Sequence, residues 1–285
     1  MEKKKCIELI KEFIILPTHS LGQNFLVDDE AADFIVDSAR IGPADDILEI
    51  GPGLGALTEK LADKAAFVHA VEIDVHLLDA LHDTVKGKDN VLVVCGDFLK
   101  LSKKSLRGEK TNEYVVVSNI PYYVMTPIMM KLFREWDDAK TMVFTVEDDA
   151  CDRIFSEPGS KQYGPLSIVS SLYGTKEKLM LLDSRSFHPA PHTKSAVIRL
   201  TGGGVLQTAP SVLFPLLTAA FSQRRKTMIN ALSSSGLFPD GKKQVKELLL
   251  SLNIISTIRA EQLYPEDFIR IAREIVQKST EIADK

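Results

Sequence analysis

A mostly parallel α/β sheet followed by a small all-helical domain is the fold class that the sequence predicts, and three observations predict it. Strand-like and helix-like periodicities alternate from about residue 28 to residue 200, the pattern of βαβ units with helices on both faces of a sheet. A glycine turn, Gly51-Pro52-Gly53-Leu54-Gly55, follows the first of these strands and opens a helix. Beyond Thr201-Gly202-Gly203-Gly204 only helical patterning is present, so that run reads as a linker.

The elements follow in order. Met1-Glu2-Lys3-Lys4-Lys5 is basic, but Glu8, Lys11 and Glu12 interrupt the apolar positions behind it. That start is an amphipathic helix rather than a signal peptide. Asp28 can cap a helix whose Ala32, Ile35, Val36 and Ala39 share one face. A strand over 47–50 leads into the glycine turn, and Leu57 and Leu61 mark the helix behind it. Strands are expected over 67–72 and 91–95, with a helix over 77–85 between them. Residues 114–118, short and β-branched, form a fourth strand that is buried in the sheet. A helix over 127–136 and a strand over 141–146 come next, and the runs 179–182 and 196–200 close the sheet as a pair of strands.

Composition sets bounds on function. A chain of 285 residues with 45% hydrophobic content can bury one large core and a smaller one. No apolar run is long enough to cross a bilayer. Cys6, Cys95 and Cys151 lie far apart and form no Cys-x-x-Cys pair. This points to a reducing compartment, hence a cytoplasmic location, and away from structural zinc. His188 and His192 are separated by prolines, which removes helical metal-ligand spacing. The net charge of −4 counts against a nucleic-acid partner unless lysines and arginines gather in patches.

Candidate chemistry collects at the strand ends. The backbone amides of Gly51 and Gly53, with the helix N-terminus behind them, can approach a ligand without obstruction by Cβ atoms. Glu72 ends the second strand, 21 residues after Gly51, where a carboxylate can take both hydroxyls of a ribose. Gly51-x-Gly53-x-x-Ala56 fits a nicotinamide dinucleotide as well as S-adenosylmethionine. Glu49 favours the second, because a carboxylate there would repel a pyrophosphate but attract an ammonium or sulfonium. Asp97, after the third strand, is placed to accept from an adenine amine, although a turn cap is an equally good reading of it. After the fourth strand stands Asn119-Ile120-Pro121-Tyr122-Tyr123. Pro121 stiffens that turn, so the Asn119 amide oxygen and the Ile120 carbonyl can be held as paired acceptors beside the flat ring of Tyr122. Two acceptors facing one ring suit the exocyclic amine of a planar base.

These residues, together with 20–26, 157–164, 187–191 and 223–227, resemble the ribosomal RNA small-subunit adenine dimethyltransferases of the KsgA type, in order and over roughly residues 18 to 270. The resemblance implies a Rossmann-like class I methyltransferase sheet, with S-adenosylmethionine as cofactor. The implied product is dimethylated N6 amines on two adjacent adenosines near the 3′ end of small-subunit rRNA. Carried over residue by residue, it implies cofactor contacts at Asn24, Leu26, Gly51, Glu72, Asp97 and Asn119. It implies a second aromatic clamp for the base at Phe187, and RNA contacts at Arg224, Arg225 and Lys226, placed on a predicted helix. The expected organisation is an N-terminal helix and cofactor-covering segment over 1–27, a methyltransferase domain over 28–200 and an RNA-contacting helical domain over 205–285. The expected partner is small-subunit rRNA or a pre-assembled small ribosomal subunit, met by a monomer, with no membrane involved.

The chain departs from the family pattern at three places. Pro17-Thr18-His19-Ser20 replaces a basic stretch, Glu147-Asp148-Asp149 replaces Gln-Lys-Glu, and His192-Thr193-Lys194 replaces Lys-Val-Asp. The first two changes lower positive charge near the expected RNA path. Two alternatives therefore stay open on sequence: a paralogue methylating another RNA, such as large-subunit rRNA, and a non-catalytic RNA-binding assembly factor.

Overall fold

The computed structural model describes residues 1–17, 22–107, 114–209 and 211–283. Thr18, His19, Ser20 and Leu21, which the sequence comparison singles out, lie outside the described residues. Two compact units are formed: Met1–Cys151 with Thr175–Gly203, and Asp152–Gly174 with Gly204–Lys285. The stretch 28–200 read as one methyltransferase domain thus contains 152–174, which packs with the helical unit.

The first unit begins with α1 (Lys3–Glu12), β1 (Phe25–Leu26) and α2 (Asp29–Ser38). Asp28 caps α2 by accepting from Ala31 N at 3.0 Å, as a residue with a short side-chain acceptor does at an N-cap. There follow β2 (Asp46–Ile50), α3 (Thr58–Ala62), β3 (Phe67–Glu72), α4 (Leu78–Thr84), β4 (Val91–Cys95), α5 (Lys103–Arg107), β5 (Tyr114–Asn119), α6 (Met125–Glu135) and β6 (Thr141–Glu147). After α7 (Asp148–Phe155) and α8 (Pro165–Tyr173) come β7 (Gly174–Leu182), β8 (Phe187–His188) and β9 (Ser195–Gly202).

Seven strands form one sheet in the order β4-β3-β2-β5-β6-β9-β7. The pairs β2–β3, β3–β4, β2–β5 and β5–β6 are parallel, and β6–β9 is antiparallel. All of β2 and the first five residues of β5 are buried, as central parallel strands covered on both faces must be. Their β-branched and leucine side chains therefore form the core that fixes where the strand ends lie. The order reverses between β2 and β5, and that reversal opens a crevice at the C-terminal strand ends. A separate two-stranded ribbon pairs β1 with β8, with Leu26 opposite Phe187.

The second unit holds α8, α9 (Leu213–Phe221), α10 (Met228–Leu232), α11 (Lys242–Ser251) and α12 (Pro265–Ala283). Arg224, Arg225 and Lys226 lie in the turn between α9 and α10 rather than on a helix. Among the described residues no helix is long and apolar enough to cross a membrane.

Candidate active site

Four parallel strands deliver one polar group each to the crevice. At the end of β2, Ser118 Oγ on β5 donates to Ile50 O at 2.5 Å, which ties the two parallel strands together just before the glycine turn. The glycine turn then departs with Gly51 at φ +68° and Gly53 at φ +59°, a left-handed backbone that favours glycine. A Cβ on Gly53 would stand 3.2 Å from the Phe25 ring, so the bare backbone is what fits beside that ring.

Glu72 closes β3 and is almost fully buried. Its Oε2 accepts from Gly53 N at 3.0 Å and its Oε1 from Asp74 N at 2.9 Å. Burial raises its pKa and these backbone donors oppose the rise. Each oxygen keeps a lone pair, so a diol can still be bound. The carboxylate thereby joins the glycine turn to the end of β3.

Glu49 is 1% exposed, and its Oε2 has no hydrogen-bond partner among the described residues. Burial pushes its pKa up to about 8; the nearby Thr58 hydroxyl lowers it somewhat, and the charge of Glu72 adds to the rise. A buried, under-satisfied carboxyl is costly, and a cation placed beside it would relieve that cost. The donor set thus suits a positively charged ligand with a ribose.

Asp97, after β4, serves two purposes. Its Oδ1 caps the following turn by accepting from Leu99 N at 3.0 Å, and the residue also lines the cavity. Asn119 ends β5. Its Nδ2 donates to Asn24 O at 3.2 Å, while Asn24 Nδ2 donates to Gly22 O at 3.2 Å. Donation through Nδ2 commits the Asn119 amide to one orientation and leaves Oδ1 as an acceptor. Ile120 N donates to Thr145 O at 3.2 Å and Val124 N to Pro121 O at 3.2 Å, so the turn is held from both sides. The Tyr122 hydroxyl lies 2.5 Å from Ser195 Oγ. Burial raises the Tyr122 pKa, with Glu147 adding to the rise and the Ser195 hydroxyl opposing it, so the phenol stays neutral.

One cavity is lined by Asn24, Leu26, Glu49, Gly51, Gly53, Glu72, Asp97 and Asn119, and also by Ile120, Pro121 and Tyr122. Phe187 is not brought to that wall. Its side chain is 1% exposed and belongs to the core cluster with Leu26. Arg224 is occupied within the helical unit, donating to Lys161 O at 2.6 Å and pairing with Glu261 at 3.2 Å. Arg225 and Lys226 are exposed. Gln23, Asp74 and Ser195 escaped the reading of the sequence. Gln23 Nε2 donates to Asp74 Oδ2 at 2.6 Å, pinning the residues just before β1 to the loop after β3. Asp74, two residues past Glu72, could have been read as a turn cap, whereas Ser195 carries no local signal.

A family model described as ribosomal RNA adenine dimethylase matches residues 17–277. The ribosomal RNA small subunit methyltransferase A of Moorella thermoacetica is 38% identical, over 95% of this chain and 96% of its own length. The protein of the same name from Bacillus pumilus is 39% identical, over 95% of both chains. Among solved structures, a dimethyladenosine transferase from Plasmodium falciparum covers 90% of this chain and 98% of its own with a TM-score of 0.74 at 25% identity. A 23S rRNA methyltransferase, ErmE, superimposes with a TM-score of 0.58 at 24% identity over 89% of this chain and all of its own, a likeness of fold alone.

Proposed function

The chain belongs to the ribosomal RNA adenine dimethylase family, and from that premise we propose that its strand-end cavity seats S-adenosylmethionine beside an extruded adenine. The protein is an S-adenosylmethionine-dependent adenine dimethyltransferase of small-subunit rRNA. When bound, S-adenosylmethionine supplies an electrophilic methyl group on a sulfonium sulfur.

The residues present fit that group. Gly51 and Gly53 give it bare backbone, and the unpartnered Oε2 of Glu49 meets positive charge. Glu72 takes the ribose hydroxyls, and Asp97 accepts from the adenine of the cofactor. Asn24 and Leu26 cover it, and Asn119 closes the wall toward the substrate.

What the chain must do for the substrate follows from the amine of adenine, whose lone pair is delocalised into the ring. Asn119 Oδ1 and the Ile120 carbonyl accept its two hydrogens and so favour a pyramidal nitrogen with its lone pair aimed into the cavity. Tyr122 stacks on the base, as enzymes acting on an extruded base require. Orientation of this kind can supply up to about 7–11 kcal/mol of the barrier, and no side-chain base is needed. The observation that carries this assignment is the Asn119 amide in the cavity wall, whose bond to Asn24 O through Nδ2 leaves Oδ1 as an acceptor. The role of Phe187 as a second clamp would require its ring to leave the core.

The finer partner is a pre-assembled small subunit, methylated in the cytoplasm by a monomer at two adjacent adenosines near the rRNA 3′ end. RNA contact is assigned to the 205–285 segment through Arg225 and Lys226. The test is transfer of labelled methyl groups to undermethylated small subunits, with large subunits and naked rRNA in parallel and nucleosides resolved by mass. Dimethyladenosine is expected with small subunits alone. Asn119→Ala should abolish transfer while cofactor binding is weakened but retained; unchanged turnover would sink the assignment.

A further inference from the structure

We propose that Ser195 is a positioning residue for methyl transfer, its buried hydroxyl holding the tip of the Tyr122 ring against which the target adenine stacks. The proposal deepens the adenine-methylation reading and rests on it. Tyr122 sits on a short turn beyond β5, and its neighbour Tyr123 is 56% exposed. A tyrosine on such a turn has two side-chain torsions and, unless its tip is held, its ring can pivot. The tip is held, because the phenol oxygen lies 2.5 Å from Ser195 Oγ.

Ser195 is placed to be a fixed point. It is 0% exposed and opens β9, opposite Glu147 in the antiparallel register with β6. The residue before it is fastened as well, since Lys194 O accepts from Asp148 N at 3.0 Å. The hydroxyl is therefore carried by the sheet rather than by a loop, the better support for a group that must hold another within fractions of an ångström. Pro121 restrains the other end of the tyrosine through the backbone, so ring and acceptor pair share one rigid turn. A serine that merely filled a buried corner would not need the phenol, and the two possibilities separate experimentally.

The experiment is a double-mutant cycle on methyl transfer to undermethylated small subunits, using Ser195→Ala, Tyr122→Phe and the double variant. Each single change should lower kcat roughly tenfold, within the hundredfold that about 1 Å of misplacement can cost, while affinity for S-adenosylmethionine is unchanged. The double variant should be no slower than the slower single, because both remove one hydrogen bond. Additive losses, or wild-type kcat in both singles, would overturn the proposal. If Ser195→Ala does not fold, Tyr122→Phe alone decides, since it keeps the ring and removes only the hydroxyl; an unchanged kcat then overturns the role. Inactivity of Asn119→Ala beside fully active Tyr122→Phe and Ser195→Ala would leave the methylation reading standing and remove only this one. No transfer by the wild-type chain would remove both.

Discussion

Glu49 carries the most tension of any residue in the cavity, and its ionisation gives a prediction with a definite sign. Its pKa is pushed to about 8 chiefly by burial, and the groups that bear on it are Thr58 from α3 and Glu72 from β3. A group raised above its unfolded value of 4.5 contributes stability that is complete below that value and is lost as pH rises through about 8. Glu49→Gln should therefore lose the part of the pH dependence of stability that falls in this window, followed by urea unfolding at several pH values. The ligand side runs the other way. A cation beside Glu49 draws it into the charged form, so binding releases a proton and tightens as pH rises. From about pH 5.5 to 7, below the range in which an α-amino group loses its charge, S-adenosylmethionine affinity should rise by up to about tenfold per pH unit. Titration calorimetry in two buffers of different ionisation enthalpy reads the proton directly. Zero proton release, or an unchanged profile in Glu49→Gln, would show that Glu49 does not change its charge when the ligand binds.

At the scale of elements, the parallel strands were legible because each is a short buried run with a turn signal behind it, and every one of the four strand-end groups was found that way. What stayed hidden depended on long-range pairing or on burial all round. β1 and β8 are two residues each, too short for any period, and their register joins Leu26 to Phe187 across the whole domain. Phe187, which the family resemblance made a second clamp for the base, lies in the core. α8 buries Leu166, Ile168, Val169, Leu172 and Tyr173 and, with them, Ser167 and Ser170, so no charged face marks it as a helix, although Pro165 at its first position was a usable start signal. The turn holding Arg224 to Lys226 contains no glycine or proline, so a helix was the natural expectation. The glycine run after β9 was read as a mere linker, yet a Cβ on Gly204 would stand 2.2 Å from Leu172 O. Close backbone approach therefore fixes that residue type. Gly204→Ala should destabilise the helical unit by about 1–3 kcal/mol, the usual cost of overpacking, seen as a lower urea midpoint. An unchanged midpoint would mean that the end of α8 gives way freely.

For the molecule as a whole, the net charge of −4 looked unfavourable for an RNA partner, and its distribution resolves the difficulty. The helical unit carries 13 Lys and Arg against 10 Asp and Glu, a net +3, which leaves the sheet unit at −7. Within the helical unit the basic triplet divides its work. Arg224 spends its guanidinium on Lys161 O, Ser160 O and Glu261, tying the 157–161 loop to the turn after α9. Arg225 and Lys226 are exposed, and the proposed contact with phosphate falls to them. Replacing one side chain that neutralises a phosphate reduces the steepness of log K against log salt by about one, and weakens binding without regard to sequence. Arg225→Ala and Lys226→Ala should each do this for binding to small subunits, measured between about 50 and 200 mM salt. Arg224→Ala should instead lower the unfolding midpoint of the protein while leaving the salt slope nearly unchanged, because its charge is already engaged. A slope reduced equally by all three would show that Arg224 releases its loop to reach the RNA, and the division of labour within the triplet would fall.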